Sequence, residues 1–275
     1  MTTAQLLASA WAWEPTVLAG CALLLAGYTA TVRPLAGRAL YFVAGVLVLL
    51  LSLVSPIDVL GDDYLFSAHM LQHLLMMLVV PPLCLLGLPR QLIARWRRWP
   101  VAARLLDLME RPWVAWWPLA VAMWLWHLPL LYDAALRIEP LHVVEHLTFL
   151  GTATLYWWPV VSPGRDEPAM AIWGTSIYIF IGMALSSILG IVLAFAPPGL
   201  YVPYSHPADE LGVLQLIRDG WGLSAADDQQ LGGLLMWIPG GALYSVALLA
   251  AWVRWLSSGD QEAEPAAPRG QSQGA

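Results

Sequence analysis

The chain contains no lysine, and only 12% of its 275 residues are charged. A soluble domain carries about twice that share of charge, so the scarcity excludes a soluble fold of this length. Positive charge is also missing from Met1 to Glu14, and an acidic residue precedes the first apolar run. No cleavable signal peptide is therefore expected, and the run is expected to be a first span with its N-terminus outside. Cysteine is scarce as well. Cys21 is expected about two turns into the first apolar run from outside and Cys84 near the inner end of the third. Such different depths argue against a disulfide. The net charge is -6, and an excess of acid is unlike a nucleic-acid binder.

What the chain has instead is apolar length. Hydrophobic residues make up 59% of the sequence, and the mean hydropathy is +0.64. Runs near the ~20 residues that cross a bilayer recur at 15–32, 38–56, 66–88, 112–131, 141–161, 172–196 and 230–256. In lipid, each backbone group must find its partner inside its own segment, so the runs are expected to be helices. The predicted fold is an all-α polytopic membrane bundle of seven transmembrane helices. It forms a single domain over residues 1–256, followed by a disordered cytoplasmic tail over 257–275, a segment of Ala, Pro, Gly, Gln and Glu.

Arginine carries every fixed positive charge. Arg90, Arg95, Arg97, Arg98, Arg104 and Arg111 lie between the third and fourth runs, which makes that loop cytoplasmic by the positive-inside rule. The N-terminus is then outside and the C-terminus inside, and eleven of the thirteen arginines, Arg33 among them, face the cytoplasm. Asp58, Asp62, Asp63, Asp133, Glu139, Asp209, Glu210, Asp219, Asp227 and Asp228 fall on the outer side. They either attract cations or simply keep loops solvated. Trp113, Trp116, Trp117, Trp157, Trp158, Trp173, Trp252 and Trp255 form an aromatic belt at the inner boundary. Within the outer segment 197–229, apolar residues at Leu211, Leu214 and Ile217 predict a short amphipathic helix over Pro207–Asp219. Pro118, Gly232-Gly233 and Pro239-Gly240-Gly241 interrupt spans, either to pack helices closely or to bend them beside a site.

All six histidines fall on the outer side. His69 and His73 open the third span, His142 and His146 open the fifth, and His127 ends the fourth. Four-residue spacing puts each pair on one helix face, about 6 Å apart. Imidazole is the commonest metal ligand and is costly in lipid without a partner. Five histidines at one depth therefore predict a shared metal. Met77 continues the His69/His73 stripe and Met123 lies one turn below His127. Each is either a packing residue or a thioether ligand suited to Cu(I). Asp228 at the mouth of the seventh span is a ligand, an orienting partner or an N-cap. Asp133 and Glu145 are placed to orient histidines. His206 lies in a loop, apart from the rest.

Four stretches resemble the CtaG family of integral-membrane cytochrome c oxidase assembly factors: FSAHMLQHLLMMLVVPPLCLLGLP (66–89), WHLPLLYDAAL (126–136), LHVVEHLTFL (141–150) with YWWPVV (156–161), and DQQLGGLLMWIPGGALY (228–244). The resemblance implies a multi-pass protein of the bacterial cytoplasmic membrane that is needed to make an active haem–copper oxidase through its copper. Its partners would be an oxidase subunit and a copper donor protein. The family's histidines correspond to His69, His73, His127, His142 and His146, and its aspartates to Asp133 and Asp228.

Three readings follow. In the first, the histidines bind copper, favoured as Cu(I), and release it to a partner by ligand exchange without turnover. In the second, His142-Val143-Val144-Glu145-His146 matches the H-x-x-E-H pattern of zinc hydrolases, with Glu145 activating water. In the third, His73 and His146 clamp a haem.

Overall fold

The computed structural model describes residues 2–32, 37–165 and 168–263, the last six as backbone only. Arg33 and the predicted tail beyond residue 263 lie outside the described residues. Every regular element among those described is helical: α1 (Thr3–Ser9), α2 (Pro15–Thr31), α3 (Ala39–Val54), α4 (Pro56–Asp63), α5 (Phe66–Gly87), α6 (Arg90–Trp96), α7 (Pro100–Met109), α8 (Pro112–Trp126), α9 (Pro129–Arg137), α10 (Glu139–Val161), α11 (Ile172–Phe195), α12 (Val202–Ser205) and α13 (Ala225–Ala263).

Each of the seven predicted apolar runs falls on a helix, namely α2, α3, α5, α8, α10, α11 and α13. Three of these, α5, α11 and α13, are long and apolar enough to cross a membrane, and five qualify if each bent pair is one span. The helix α2 is apolar but has 17 residues, and α10 has 23 residues but carries His142, Glu145 and His146.

Proline sets the bends. At the first helical position it costs no hydrogen bond, and it forces the residue before it to be extended. Ser55 precedes Pro56 at φ -83, ψ 175, and Leu128 precedes Pro129 at φ -65, ψ 128. The axis turns 44° between α3 and α4 and 79° between α8 and α9. The predicted runs 38–56 and 112–131 therefore end early, and α4 and α9 bend away from the helices before them at the bundle end that holds the histidines.

Inside α5, one π-helical turn spans Leu75–Val79. Pro81 and Pro82 follow it, and neither can donate to the Met77 carbonyl, four and five residues upstream. The Trp157 indole supplies the donor, Nε1 to O at 2.8 Å. This bond fastens α10 to α5 about one turn below His73. On the far side, α11 and α13 touch through glycines. A Cβ on Gly190 would stand 2.8 Å from the Gly233 carbonyl, and one on Gly233 would collide with the Ala194 backbone. Here the interior glycines serve close packing.

The main core runs through the bundle. A second one lies at the histidine end, where Leu6, Leu60, Tyr64, Leu65, Val213 and Ile217 pack together. This corrects the expectation of a surface helix over Pro207–Asp219. Residues 207–213 are irregular, with turns and a bend over 210–212, and helix exists only over 214–220, including a π turn at Leu216–Gly220. Val213 and Ile217 are fully buried, so the segment closes over α1 and α4. At the opposite end, Arg97 pairs with Asp107 at 2.6 Å and with Glu110, which also takes Arg165 at 2.6 Å. The Asp107 hydrogen bond comes first in holding the Arg97 guanidinium above its ordinary pKa.

Candidate metal centre

His69 and His73 stand on the first two turns of α5, a helix whose own N-cap, Leu65, offers no side-chain acceptor. Asp228 from α13 does the work instead. Its carboxylate accepts the Phe66 and Ser67 N–H groups at 2.8 and 3.1 Å and the Ser67 hydroxyl at 2.5 Å. A negative charge at a helix N-terminus is stabilising. Both Asp228 oxygens are committed there, so the residue positions α5 rather than facing the imidazoles. Gly61 lets α4 lie against α5, because a Cβ there would stand 2.9 Å from the His69 backbone nitrogen. That contact delivers Asp62 to the site.

Four imidazoles then pack about one point. His69 and His73 have ring centroids 4.2 Å apart at 90°, and His142 and His146 have theirs 4.1 Å apart. Between the helices, His69 lies 5.3 Å from His142 and His73 lies 5.3 Å from His146. The Nε2 atoms of His69 and His73 are 2.8 Å apart. Two nitrogens bound to one tetrahedral ion at about 2.0 Å stand about 3.3 Å apart, so this pair is near ligand spacing. Candidate donor atoms of His69, His73 and His146 all lie within 4.8 Å of one another, as do those of Asp62, His69 and His142. His69 belongs to both groups.

The proton positions suit a metal. His127 Nδ1 lies 2.6 Å from the Met123 carbonyl, which can only accept, so Nδ1 holds the proton and Nε2 keeps a lone pair. Tyr204 donates its hydroxyl to the Gly61 carbonyl at 2.6 Å, and its oxygen lies 3.1 Å from His69 Nδ1. With the proton on Nδ1, His69 donates outward and turns its Nε2 lone pair to His73. Asp62 Oδ1 stands 3.7 Å from His69 Nδ1 and 3.6 Å from His142 Nε2, in place to orient rings as carboxylates do behind metal-bound histidines.

Many of these groups lack a partner. His73 Nδ1, the Nε2 atoms of His127, His142 and His146, Glu145 Oε1 and Asp62 Oδ1 are buried with no hydrogen bond. Each unsatisfied buried group costs about 1–3 kcal/mol, and so many in one place are relieved by a shared cation. The residues therefore fit a metal: neutral imidazoles as ligands, with Glu145 Oε1 4.0 Å from His73 Nε2 to balance charge.

The remaining predicted residues fall nearby or apart. His127 has its ring 6.2 Å from that of His73 and belongs to neither close group. Met77 and Met123 are buried and border a small cavity that touches His73. Asp133 faces Arg137 at 3.9 Å and is in neither group. His206 is exposed.

Sequence reasoning missed Asp62 and Tyr204 as site residues. For Asp62 a signal existed: Ser55-Pro56 starts a helix on which Asp58 and Asp62 share a face. Tyr204 comes from the four-residue helix α12, whose place depends on tertiary packing, and nothing local marks it.

A family model described as cytochrome c oxidase caa3 assembly factor (Caa3_CtaG) matches residues 8–258. The chain is also 23% identical, over 281 aligned residues, to uncharacterised proteins of Mycobacterium bovis and Mycobacterium tuberculosis. The alignments cover 89% of this chain and 39% of each relative, so the chain spans well under half the length of the curated relatives it matches. No solved structure matches it.

Proposed function

Because this chain belongs to the Caa3_CtaG family of cytochrome c oxidase caa3 assembly factors, we propose that it binds copper in the imidazole cluster and supports copper insertion into a haem–copper oxidase. The observation that carries this reading is the convergence of imidazole nitrogens from α5 and α10, with donor atoms of His69, His73 and His146 all within 4.8 Å of one another. In this reading α2, α3, α5, α8, α10, α11 and α13 span the bacterial cytoplasmic membrane, with the N-terminus outside. The histidines then lie just under the outer surface, and the exposed basic segment of α6 and α7 faces the cytoplasm.

The chemistry is binding and release. His69, His73 and His146 hold the ion through neutral nitrogens. Asp62 has 31% of its side chain exposed while His69 has none, so the acidic group forms the rim and the imidazoles the floor. A copper donor protein delivers the ion at that rim. An oxidase subunit, presenting its own thiolates or imidazoles, takes it by replacing one ligand at a time. Neutral nitrogen donors beside thioethers favour Cu(I); Zn(II) is the competitor that an all-nitrogen shell would admit.

The other two readings fare worse against the geometry. A haem between His73 and His146 needs a porphyrin-sized slot, whereas those rings stand 5.3 Å apart at 88° and the cavity touching His73 has a volume of about 10 Å³. A zinc hydrolase would need His142 and His146 on one ion with Glu145 beside its water. Instead the two histidines fall in different groups, and the Glu145 carboxylate lies toward His73.

The test is made in cells that lack the protein, by measuring the copper content of the isolated oxidase. The parent chain restores it, while His73→Ala and His146→Ala, present in the membrane at parental abundance, do not. Full restoration by either variant overturns the proposal.

A further inference from the structure

We propose that the chain has a second seat for Cu(I), built from the thioethers of Met70, Met77, Met123 and Met236 and adjoining the imidazole cluster through His73. This inference rests on the copper reading of that cluster and extends it inward.

The observations are local. A cavity of about 10 Å³ is bordered by those four methionines and by His73. That volume is about one probe sphere, enough for a single small guest. The methionines come from three helices: Met70 and Met77 from α5, Met123 from α8 and Met236 from α13. None is more than 7% exposed. Four of the chain's nine methionines thus meet at one small void. Methionine also fills irregular core gaps, so the sulfurs alone decide nothing.

His73 decides it. The residue is 1% exposed, its Nε2 faces His69 at 2.8 Å, and its Nδ1 has no hydrogen-bond partner. The two ring nitrogens point in different directions, so a side chain whose Nε2 serves the imidazole cluster has a second, unsatisfied nitrogen to offer. Thioether sulfur with one imidazole in an apolar pocket is a donor set for a soft monovalent ion, and a poor one for Zn(II) or Mg(II).

The two seats are linked by one proton. A neutral imidazole has a single lone pair. While Nε2 holds the ion, Nδ1 carries the proton. In the other tautomer, with the proton on Nε2, it is Nδ1 that offers the lone pair, to the inner seat. No electron is transferred, and copper remains Cu(I) throughout. With the outer seat kept by His69 and His146, both seats can also be filled together.

The test loads purified protein with Cu(I) against a chromogenic Cu(I) chelator and records X-ray absorption at the copper edge. The parent is expected to hold two Cu(I) per chain, with a sulfur shell and a nitrogen shell. The volume-conserving triple variant Met77→Leu/Met123→Leu/Met236→Leu should fall to one, with the sulfur shell gone and Zn(II) binding intact as the sign of a folded outer site. His69→Ala/His146→Ala should do the reverse, keeping the sulfur shell and losing Zn(II) binding. If the parent's bound copper has no sulfur shell and the methionine variant keeps parental stoichiometry, the second seat is overturned while the imidazole site stands. If the parent binds no Cu(I), the copper reading itself fails and this inference with it.

Discussion

His69 illustrates how far one side chain constrains the site. Its Nε2 lies 2.8 Å from His73, and its Nδ1 lies 3.1 Å from the Tyr204 hydroxyl, which is itself anchored on the Gly61 carbonyl. Tyr204 meets His69 at Nδ1, the nitrogen turned away from His73, and favours the proton there. Replacing such an orienting partner costs about 10–100-fold in metal affinity. Tyr204→Phe is therefore expected to weaken copper binding by that factor without changing its stoichiometry, as read by chelator competition. The same logic sets the pH dependence. A metal-bound nitrogen must be unprotonated, so protons compete with the ion. Affinity should fall with pH once the imidazoles begin to take up protons, and it should be flat at higher pH, where all of them are neutral. The histidines were legible in the sequence because each is a costly group inside an apolar run. Asp62 was visible only as one of many outer acids, and its role depends on where α4 lies.

At the scale of elements, α5 and α10 hold the imidazole pairs, and their register depends on one hydrogen bond. The Trp157 indole bonds the Met77 carbonyl at 2.8 Å, taking the place of the donors that Pro81 and Pro82 lack. Trp157→Phe leaves that carbonyl unpaired, at a cost of about 1–3 kcal/mol. Pro81→Ala restores an N–H four residues after Met77 and should recover part of the loss. Thermal unfolding in detergent of the two single variants and the double variant checks this; equal losses in Trp157→Phe with and without Pro81→Ala would contradict it. Hydropathy located every long helix, because the length and apolarity of a run are properties of the run itself. The π turn at Leu75–Val79 could not be read that way. The prolines that disturb the ladder are visible in the sequence, but the indole that makes the disturbance tolerable comes from another helix. The bends at Ser55-Pro56 and Leu128-Pro129 were legible in principle, since a residue before proline avoids helix; the second is hidden because the apolar run 112–131 continues across it.

For the molecule as a whole, alternating the direction of successive helices is what gathers the site. The starts of α5 and α10 and the end of α8 meet at one end of the bundle, so residues distant in sequence become neighbours. That convergence was readable from the spacing of apolar runs alone. The covering layer was not. Residues from α1, α4 and the segment before α13 form the small second core, and its packing is tertiary. Beside it, Asp62 keeps 31% of its side chain exposed while His69 has none.

If imidazoles from separate helices share one ion, the copper content of the purified chain after Cu(I) loading depends on each of them. His73→Ala and His146→Ala are each expected to bind less copper than the parent, with affinity at the imidazole seat reduced at least about 100-fold, beyond what loss of an orienting partner causes. Parental copper content and affinity in both variants would contradict it.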